Sequence, residues 1–329
     1  MEIAKALILA GRTAHDQPWP SVRTGPKHLV PVANQPILFH NLESLRRAGL
    51  IEATIALDQD AAPIRDAVGD GSQWGLTVRY VDWQPGSGVD GALAAAHEFV
   101  AQEPLLVEPG DILHRELIHP HIAAFAREAL DALALRVLPV TGATPGEAMV
   151  GGYLFSPRAV AMLLEGPAAG DPFLGVQRQG GHVRAETIDG CMPCHGGQDQ
   201  LLEGNRRMLE QLKTDIAPEL PPSCEIQGRV LIHPTAELDH TLIRGPAIIG
   251  ARTRLSHAYV GPYSSIGADV HIEGSQIEHS IVLDGAELLH VGARVDTSVI
   301  GRGARVHRAF APTNALRLSV GDGAEVRLS

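Results

Sequence analysis

The apolar and polar positions divide the chain into two parts with different periods. Up to residue 217, short apolar runs alternate with amphipathic stretches, which predicts strands and helices in β-α-β order. The predicted strands include 6–9, 51–57, 76–81 and 105–107, and the predicted helices include 61–68, 122–130 and 200–212. This order is typical of an α/β domain with a mixed, mainly parallel sheet.

From residue 226 the apolar residues recur every six positions, in groups of three. The groups start at Ile226, Ile243, Val260 and Ile277, each 17 residues after the last, and a less regular group follows at Val295. Repeats of this length, with glycines near the corners, predict a parallel β-helix over most of residues 226–328. A proline-rich stretch sets the predicted boundaries: a first domain over 1–217, a linker over 218–225 and the β-helix over 226–329.

The composition and net charge of the chain argue against several classes of partner and location. The chain has 329 residues, 44% of them hydrophobic, and a formal net charge of −11, which argues against nucleic acid or an anionic membrane as a partner. No apolar stretch is long enough to span a bilayer, and the N-terminus lacks a secretory leader, so we expect a cytoplasmic protein. Three cysteines are too few for a disulfide framework.

The opening segment, residues 6–45, reads as a strand, a loop and a helix, and the loop should lie at the carboxyl end of the first strand, where α/β folds place ligands. Its Leu9-Ala10-Gly11 and its Gly25-Pro26-Lys27 resemble the signature of the sugar-1-phosphate nucleotidylyltransferases, L-A-G-G-x-G-T-R followed by G-P-K-x-L-x-P-V. Arg244-Gly245-Pro246 and Gly261-Pro262-Tyr263 are similar to the tail of the long-form thymidylyltransferases. The resemblance therefore covers nearly the whole chain and implies a Rossmann-like domain followed by a left-handed β-helix of hexapeptide repeats.

The resemblance implies roles for several residues. Lys27 and Asp111 would be catalytic, and Asp111, in a Gly-Asp pair after a strand, would bind Mg²⁺, which bridges phosphate oxygens. The nucleotide would be held by Leu9, Ala10, Gly11, Gln84 and Gly91. The ligand expected is a nucleotide or a sugar phosphate.

Four departures from the family pattern argue against the standard reaction. The glycine-arginine loop is replaced by Arg12 to Gln17, and the segment with the E-K-P motif is shortened to residues 136–147. Met192 replaces a tryptophan, and Cys194 replaces the second metal-binding aspartate. A neutral thiol is a poor Mg²⁺ ligand, so Mg²⁺ binding is in doubt. Losing several electrostatic stabilisers would remove most of the rate acceleration.

The stretch Cys191-Met192-Pro193-Cys194-His195 also matches C-x-x-C-H, a pattern of haem, zinc or redox sites. We expect no haem, because attachment normally follows export, and zinc would lack ligands. A further hypothesis is a re-purposed site in which Cys194 pairs with His195 or His15 as thiol and imidazole.

Seven further histidines lie in the repeats, where one could act as a general base or all could occupy exposed corners: His233, His240, His257, His271, His279, His290 and His307.

Three functions stay open at this point. The favoured one is a degenerate family member that acts in ligand binding, assembly or regulation. The first alternative is an active sugar-1-phosphate nucleotidylyltransferase with Asp111-bound Mg²⁺, and the second is the re-purposed enzyme. We expect a homo-oligomer, with an active paralogue as a further candidate partner.

Overall fold

A seven-stranded sheet forms the centre of the first of two compact units. The computed structural model describes residues 3–11, 25–58, 61–100, 102–137, 149–166, 170–191, 197–216, 221–308, 317–319 and 326. The first unit holds the described residues up to 191, except residues 25 and 30–35, which group with the second unit and with residues from 197 onward.

The strands of the first part of the chain are short and largely buried. They are β1 (Lys5–Ala10), β2 (Pro31–Val32), β3 (Gln35–Pro36), β4 (Glu52–Leu57), β5 (Thr77–Asp82), β6 (Leu105–Pro109), β7 (Leu113–His114), β8 (Ala132–Val137), β9 (Met149–Phe155), β10 (Val183–Ile188) and β11 (Gly190–Cys191). The main sheet has the order β10-β8-β9-β6-β1-β4-β5. Every neighbouring pair is parallel except β9 with β6 and with β8, so the predicted mixed, mainly parallel sheet is confirmed.

Helices cover both faces of this sheet. They are α1 (Ile37–Arg47), α2 (Ala62–Val68), α3 (Gly88–Ala95), α4 (His97–Val100), α5 (His119–Arg127), α6 (Pro157–Glu165) and α7 (Pro172–Arg178), with 3₁₀ turns at Lys27–Leu29, Ser72–Trp74 and Pro85–Ser87. Alternate residues of β1 enter separate apolar clusters, Ile8 on one face and Leu7 on the other. Burial on both faces explains why the strands read as continuous apolar runs.

The helix predicted at 122–130 begins earlier, at His119, because Pro120 lies in its first turn, where a missing backbone N–H costs nothing. No described helix is both long and apolar enough to cross a membrane.

The second unit is the predicted left-handed β-helix. Its strands are β12 (Asp215–Ile216), β13 (Glu225–Gln227), β14 (Val230–Ile232), β15 (Glu237–Asp239), β16 (Leu242–Arg244), β17 (Ala247–Ile249), β18 (Arg254–Ser256), β19 (Tyr259–Val260), β20 (Ser264–Ile266), β21 (His271–Glu273), β22 (Gln276–Glu278), β23 (Ile281–Val282), β24 (Glu287–Leu289), β25 (Val295–Asp296), β26 (Val299–Ile300), β27 (Arg305–His307) and β28 (Arg317–Ser319). They form three sheets, β12-β14-β17-β20-β23-β26, β13-β16-β19-β22-β25 and β15-β18-β21-β24-β27-β28.

The register of the coils follows the aliphatic repeat. Ile226 pairs with Ile243, Ile243 with Val260 and Val260 with Ile277. Ile277 then pairs with Val295, 18 residues on, which accounts for the irregular last group. The strands are parallel up to β27, whereas β28 runs antiparallel to it, so the parallel coils end before residue 317.

Helix α8 (Gln198–Leu209) belongs to the second unit, although the boundary predicted at residue 217 assigns it to the first domain. Leu209 packs with Ala33 and Ile248 in a small apolar cluster on the outside of the coils. The apolar period of a helix does not show which sheet the helix packs against. The contacts therefore group α8 with the second unit, whereas the boundary predicted from the sequence groups it with the first domain.

Candidate active site

The carboxyl ends of β1 and β6 lie side by side in the middle of the main sheet. From β1 the chain continues to β4 and β5 on one side, and then crosses to β6 on the other side. The backbone N–H of Gly110 donates to the carbonyl of Leu9 at 2.9 Å, so the two strand ends are tied together. Ligands of open α/β sheets bind at such a reversal of strand order, which makes this edge the candidate site.

Lys27 and Asp111 meet at this edge. The Lys27 Nζ lies 2.8 Å from Asp111 Oδ2, and the two side chains are only 13% and 2% exposed. A Cβ on Gly110 would lie 3.1 Å from Ile8 Cγ2 and 3.2 Å from His28 Cδ2, so glycine lets this turn pass close to its neighbours. The structure thus brings together the two residues predicted to be catalytic, and their opposite charges compensate each other.

A second buried polar group lies beneath the same strand end. The Glu108 carboxylate accepts from Asn41 Nδ2 at 2.8 Å and lies 2.9 Å from His114 Nε2, and both the Glu108 and His114 side chains are fully buried. Asn41 is on α1, in the face that packs on the sheet with Leu38 and Leu42. The sequence analysis missed this group. Its signal is a glutamate in the otherwise apolar strand Leu105–Pro109.

His114 also connects this group to the strand that precedes the Cys194 segment. Strand β7 pairs antiparallel with β11, so that His114 is opposite Gly190 and Leu113 opposite Cys191. The backbone N–H of Arg115 donates to the carbonyl of Asp189 at 2.9 Å and extends the pairing. The buried group therefore fixes β7 between the Asp111 turn and β11.

The other predicted nucleotide-binding residues lie along the same edge of the sheet. Ala10 and Gly11 are buried at the end of β1. Gln84 follows β5, and its carbonyl accepts from the Ser87 N–H at 2.8 Å. Gly91 lies in α3, where a Cβ would be 1.9 Å from Ser87 Oγ, so a side chain would displace Ser87. Packing explains this glycine, and its predicted role toward a nucleotide stays a prediction.

Several predicted features lie outside the described residues. They are the replaced loop Arg12 to Gln17, Met192, Cys194 and His195, and most of the shortened segment. The ends of that segment are described: Val137 pairs with Met149, so only residues 138–148 connect β8 to β9. The hypothesis of a Cys194–His195 or Cys194–His15 pair stays a prediction.

Comparison with known proteins places this geometry in a family. The family model described as nucleotidyl transferase matches residues 5–145. A glucose-1-phosphate thymidylyltransferase of Streptomyces griseus is 33% identical over 99% of both chains, and one of Streptomyces antibioticus is 29% identical over 98% of this chain and 99% of its own. The chain belongs to the sugar-1-phosphate nucleotidylyltransferase family. Over nearly its whole length it resembles glucose-1-phosphate thymidylyltransferase, as the opening motif predicts.

One further relative agrees with this assignment, and one solved structure agrees with the fold. The low-salt glycan biosynthesis nucleotidyltransferase Agl11 of Haloferax volcanii is 28% identical over 98% of this chain and 100% of its own. A crystal structure described as a glucose-1-phosphate thymidylyltransferase of Bacillus anthracis superposes with a TM-score of 0.53 and 18% identity. It covers 64% of this chain and 97% of its own, and it supports the fold alone.

The family resemblance implies Mg²⁺ at Asp111, and the residues present do not fit that ion well. Mg²⁺ takes oxygen ligands in octahedral geometry, whereas the Asp111 carboxylate already contacts the Lys27 ammonium. Among the described residues, the two groups of three acidic or histidine side chains whose ligand atoms lie within 4.8 Å of one another are both in the second unit. The position aligned with the second carboxylate holds Cys194. We therefore derive no step through Mg²⁺.

Proposed function

We propose that the protein binds a nucleotide or sugar phosphate at the β1–β6 edge without catalysing nucleotidyl transfer at an ordinary enzymatic rate. The observation that carries this proposal is the buried contact of 2.8 Å between Lys27 and Asp111. It supplies a cation for a phosphate, and it engages the carboxylate that the reaction would need for its metal.

Lys27 is the member of the pair that can bind an anion. A lysine ammonium binds phosphate as a point charge, and Asp111 holds it at the strand edge. A bound phosphate would compete with Asp111 for Lys27 and would be repelled by the carboxylate. The absence of a second carboxylate at Cys194 and the short β8–β9 connection remove further groups that would stabilise transferring phosphates.

Two variants separate these contributions. Asp111→Asn releases Lys27 and removes the repulsion, so we expect equal or tighter binding of a nucleoside triphosphate without Mg²⁺. The double variant Asp111→Asn/Lys27→Met should bind about 13- to 160-fold more weakly than Asp111→Asn, the range for a charged hydrogen bond. Calorimetric titration with dTTP, UTP and glucose 1-phosphate measures both affinities.

A control and a turnover assay complete the test. Lys5→Met removes a lysine at the opposite end of β1, where it pairs with Glu103 at 3.2 Å, and should leave affinity unchanged. Pyrophosphate release is measured across all nucleoside triphosphates and several sugar 1-phosphates. Turnover above about 1 s⁻¹ that is abolished in Asp111→Asn would overturn the proposal and establish the active enzyme.

A further inference from the structure

Two histidines occupy the same corner of the β-helix on consecutive coils. His240 follows β15 and His257 follows β18, and these strands pair in register with Asp239 opposite Ser256. Both histidines have left-handed backbones, with φ of 43° and 48°. Because the backbones match, the two imidazoles leave the corner in the same direction, and their ring centroids are 4.8 Å apart with 23° between the planes. This separation is the spacing of neighbouring strands in a sheet.

A carboxylate is held beside these rings. The Asp239 Oδ1 lies 2.7 Å from His240 Nδ1 and accepts from Ser223 Oγ at 3.3 Å. The His257 N–H donates to the Asp239 carbonyl at 3.1 Å, which ties the aspartate to the next coil.

One ligand atom from each of Asp239, His240 and His257 lies within 4.8 Å of the other two. Two imidazole nitrogens and one carboxylate oxygen are ligands for zinc, cobalt, nickel or copper, whereas magnesium and calcium prefer oxygen alone. We propose that Asp239, His240 and His257 form a binding site for a divalent transition-metal ion of the zinc class.

The site closes by small side-chain rotations. Metal–ligand bonds of about 2.0–2.1 Å in a tetrahedral site require ligand atoms about 3.4 Å apart. His240 and Asp239 are 60% and 57% exposed, so rotation meets little packing and water can complete the coordination. A bound ion would cross-link two neighbouring coils of the β-helix.

The same chain provides a comparison site. Glu278, His279 and Asp296 also bring three ligand atoms within 4.8 Å of one another, and His279 Nδ1 lies 3.2 Å from Asp296 Oδ1. This set has one imidazole and two carboxylates, a harder combination that should bind zinc less well. His279 is therefore a matched control, since its backbone is also left-handed, with φ of 46°.

Zinc titration of the chelator-treated full-length protein, in competition with a chromogenic chelator, tests the proposal. We expect one tight zinc ion per chain and at least about tenfold weaker binding in His240→Asn and in His257→Asn. His279→Asn should leave the tight site unchanged. Asparagine tolerates the left-handed conformation, so these variants should keep the coils folded, which circular dichroism checks.

Cobalt(II) spectra distinguish the proposed ligands from cysteines. Nitrogen and oxygen ligands give only the weak visible bands of cobalt, whereas thiolates add an intense near-ultraviolet band. Such a thiolate band would assign the ion to cysteine and overturn the proposal. An unchanged zinc affinity in His257→Asn, or no saturable binding up to about 0.1 mM zinc, would also overturn it.

Discussion

In the first unit, two buried carboxylates, Asp111 and Glu108, are stabilised by different kinds of partner. Lys27 and Asp111 form a contact between opposite charges, whereas Glu108 is held by the Asn41 amide and the His114 imidazole. Since the Glu108 oxygen accepts, the His114 tautomer that carries hydrogen on Nε2 completes the hydrogen bond. Buried carboxylates keep their place only when such partners replace the lost water.

Removing Glu108 alone should strongly lower the free energy of unfolding, because its two hydrogen-bond partners stay buried. Glu108→Leu leaves His114 Nε2 without its acceptor and leaves Asn41 Nδ2 only a longer hydrogen bond of 3.4 Å to the Pro109 carbonyl. A buried donor without an acceptor costs about 1–3 kcal/mol. We expect the free energy of unfolding to fall by about 3–5 kcal/mol, as for other broken buried pairs. Urea denaturation measures this change.

Two further variants define the control for Glu108. Glu103→Gln removes an exposed carboxylate that pairs with Lys5 and should change the free energy of unfolding by less than about 1 kcal/mol. The triple variant Asn41→Leu/Glu108→Leu/His114→Phe strands no polar group and should recover most of the loss. A cost below about 1 kcal/mol for Glu108→Leu alone would show that the group is not a closed buried network.

The residues of the candidate site differ in how far the sequence predicts them. Lys27 and Asp111 stand in motifs next to strand ends, so the sequence predicts both and the fold places them in contact. The Glu108 group needs a partner 67 residues away on α1, and no local pattern predicts that contact. The metal site at His240 depends on two coils being stacked, which makes neighbours of residues 17 apart.

At the scale of elements, one buried side chain of α8, Asn205, makes three hydrogen bonds that hold the helix on the second unit. Asn205 Oδ1 accepts from the Ala33 N–H at 2.9 Å and from Ser265 Oγ at 2.5 Å, while Nδ2 donates to the Tyr263 carbonyl at 3.1 Å. Asn205 is only 1% exposed. One amide thus joins the helix, the segment 30–35 and two positions near β20.

Replacing Asn205 should loosen this attachment. Asn205→Leu keeps a similar volume but strands a backbone N–H, a hydroxyl and a carbonyl, at about 1–3 kcal/mol for each buried group. We expect a loss of about 2–5 kcal/mol in the free energy of unfolding, with faster amide exchange at Ala33. Gln198→Ala removes a single hydrogen bond from the half-buried first residue of the same helix to the Thr297 carbonyl, and as the control it should cost less than about 1 kcal/mol. Unchanged exchange at Ala33 would contradict this role for Asn205.

The sequence predicts most of the strands and helices, but it does not predict that α8 packs against the coils of the β-helix. The 17-residue repeat predicts the strands because every coil buries the same positions, and Ile243 and Ile277 are both fully buried. One inserted residue before Val295 lengthens this coil to 18 residues, and Val295 still pairs with Ile277. The amphipathic pattern of α8 is equally clear, but it does not show that the buried face lies against the coils.

At the scale of the whole molecule, many charged side chains form ion pairs, and several of these pairs join neighbouring coils. Arg252 pairs with Asp269 and Arg254 with Glu237, each 17 residues apart, so that opposite charges stack along the outside of the β-helix. Exposed pairs of this kind contribute little singly, and their effect depends on pH and salt.

Among the residues that the structure describes, five carboxyl groups have pKa values below the usual value. In the first unit, the Ser72 hydrogen bonds lower the pKa of Asp70, and Arg184 lowers that of Glu128. In the second unit, Arg206 lowers the pKa of Glu203, His240 that of Asp239 and Arg252 that of Asp269. In each case the folded state favours the ionised carboxylate over the protonated acid.

Because these pKa values are lowered in the folded state, we expect the protein to lose stability in acid. When the folded pKa is lower than the unfolded pKa, the unfolded chain binds more protons on acidification, so the contribution is complete above about pH 5 and is lost as pH falls through the folded values. We expect the urea midpoint to be nearly level from pH 6 to pH 8 and to fall below about pH 4. Asp269→Asn should lower the midpoint more at pH 7 than at pH 3, because only the ionised carboxylate contacts Arg252. Asp66→Asn, which removes an exposed carboxylate on α2, is the control, and an equal effect of Asp269→Asn at both pH values would contradict the linkage.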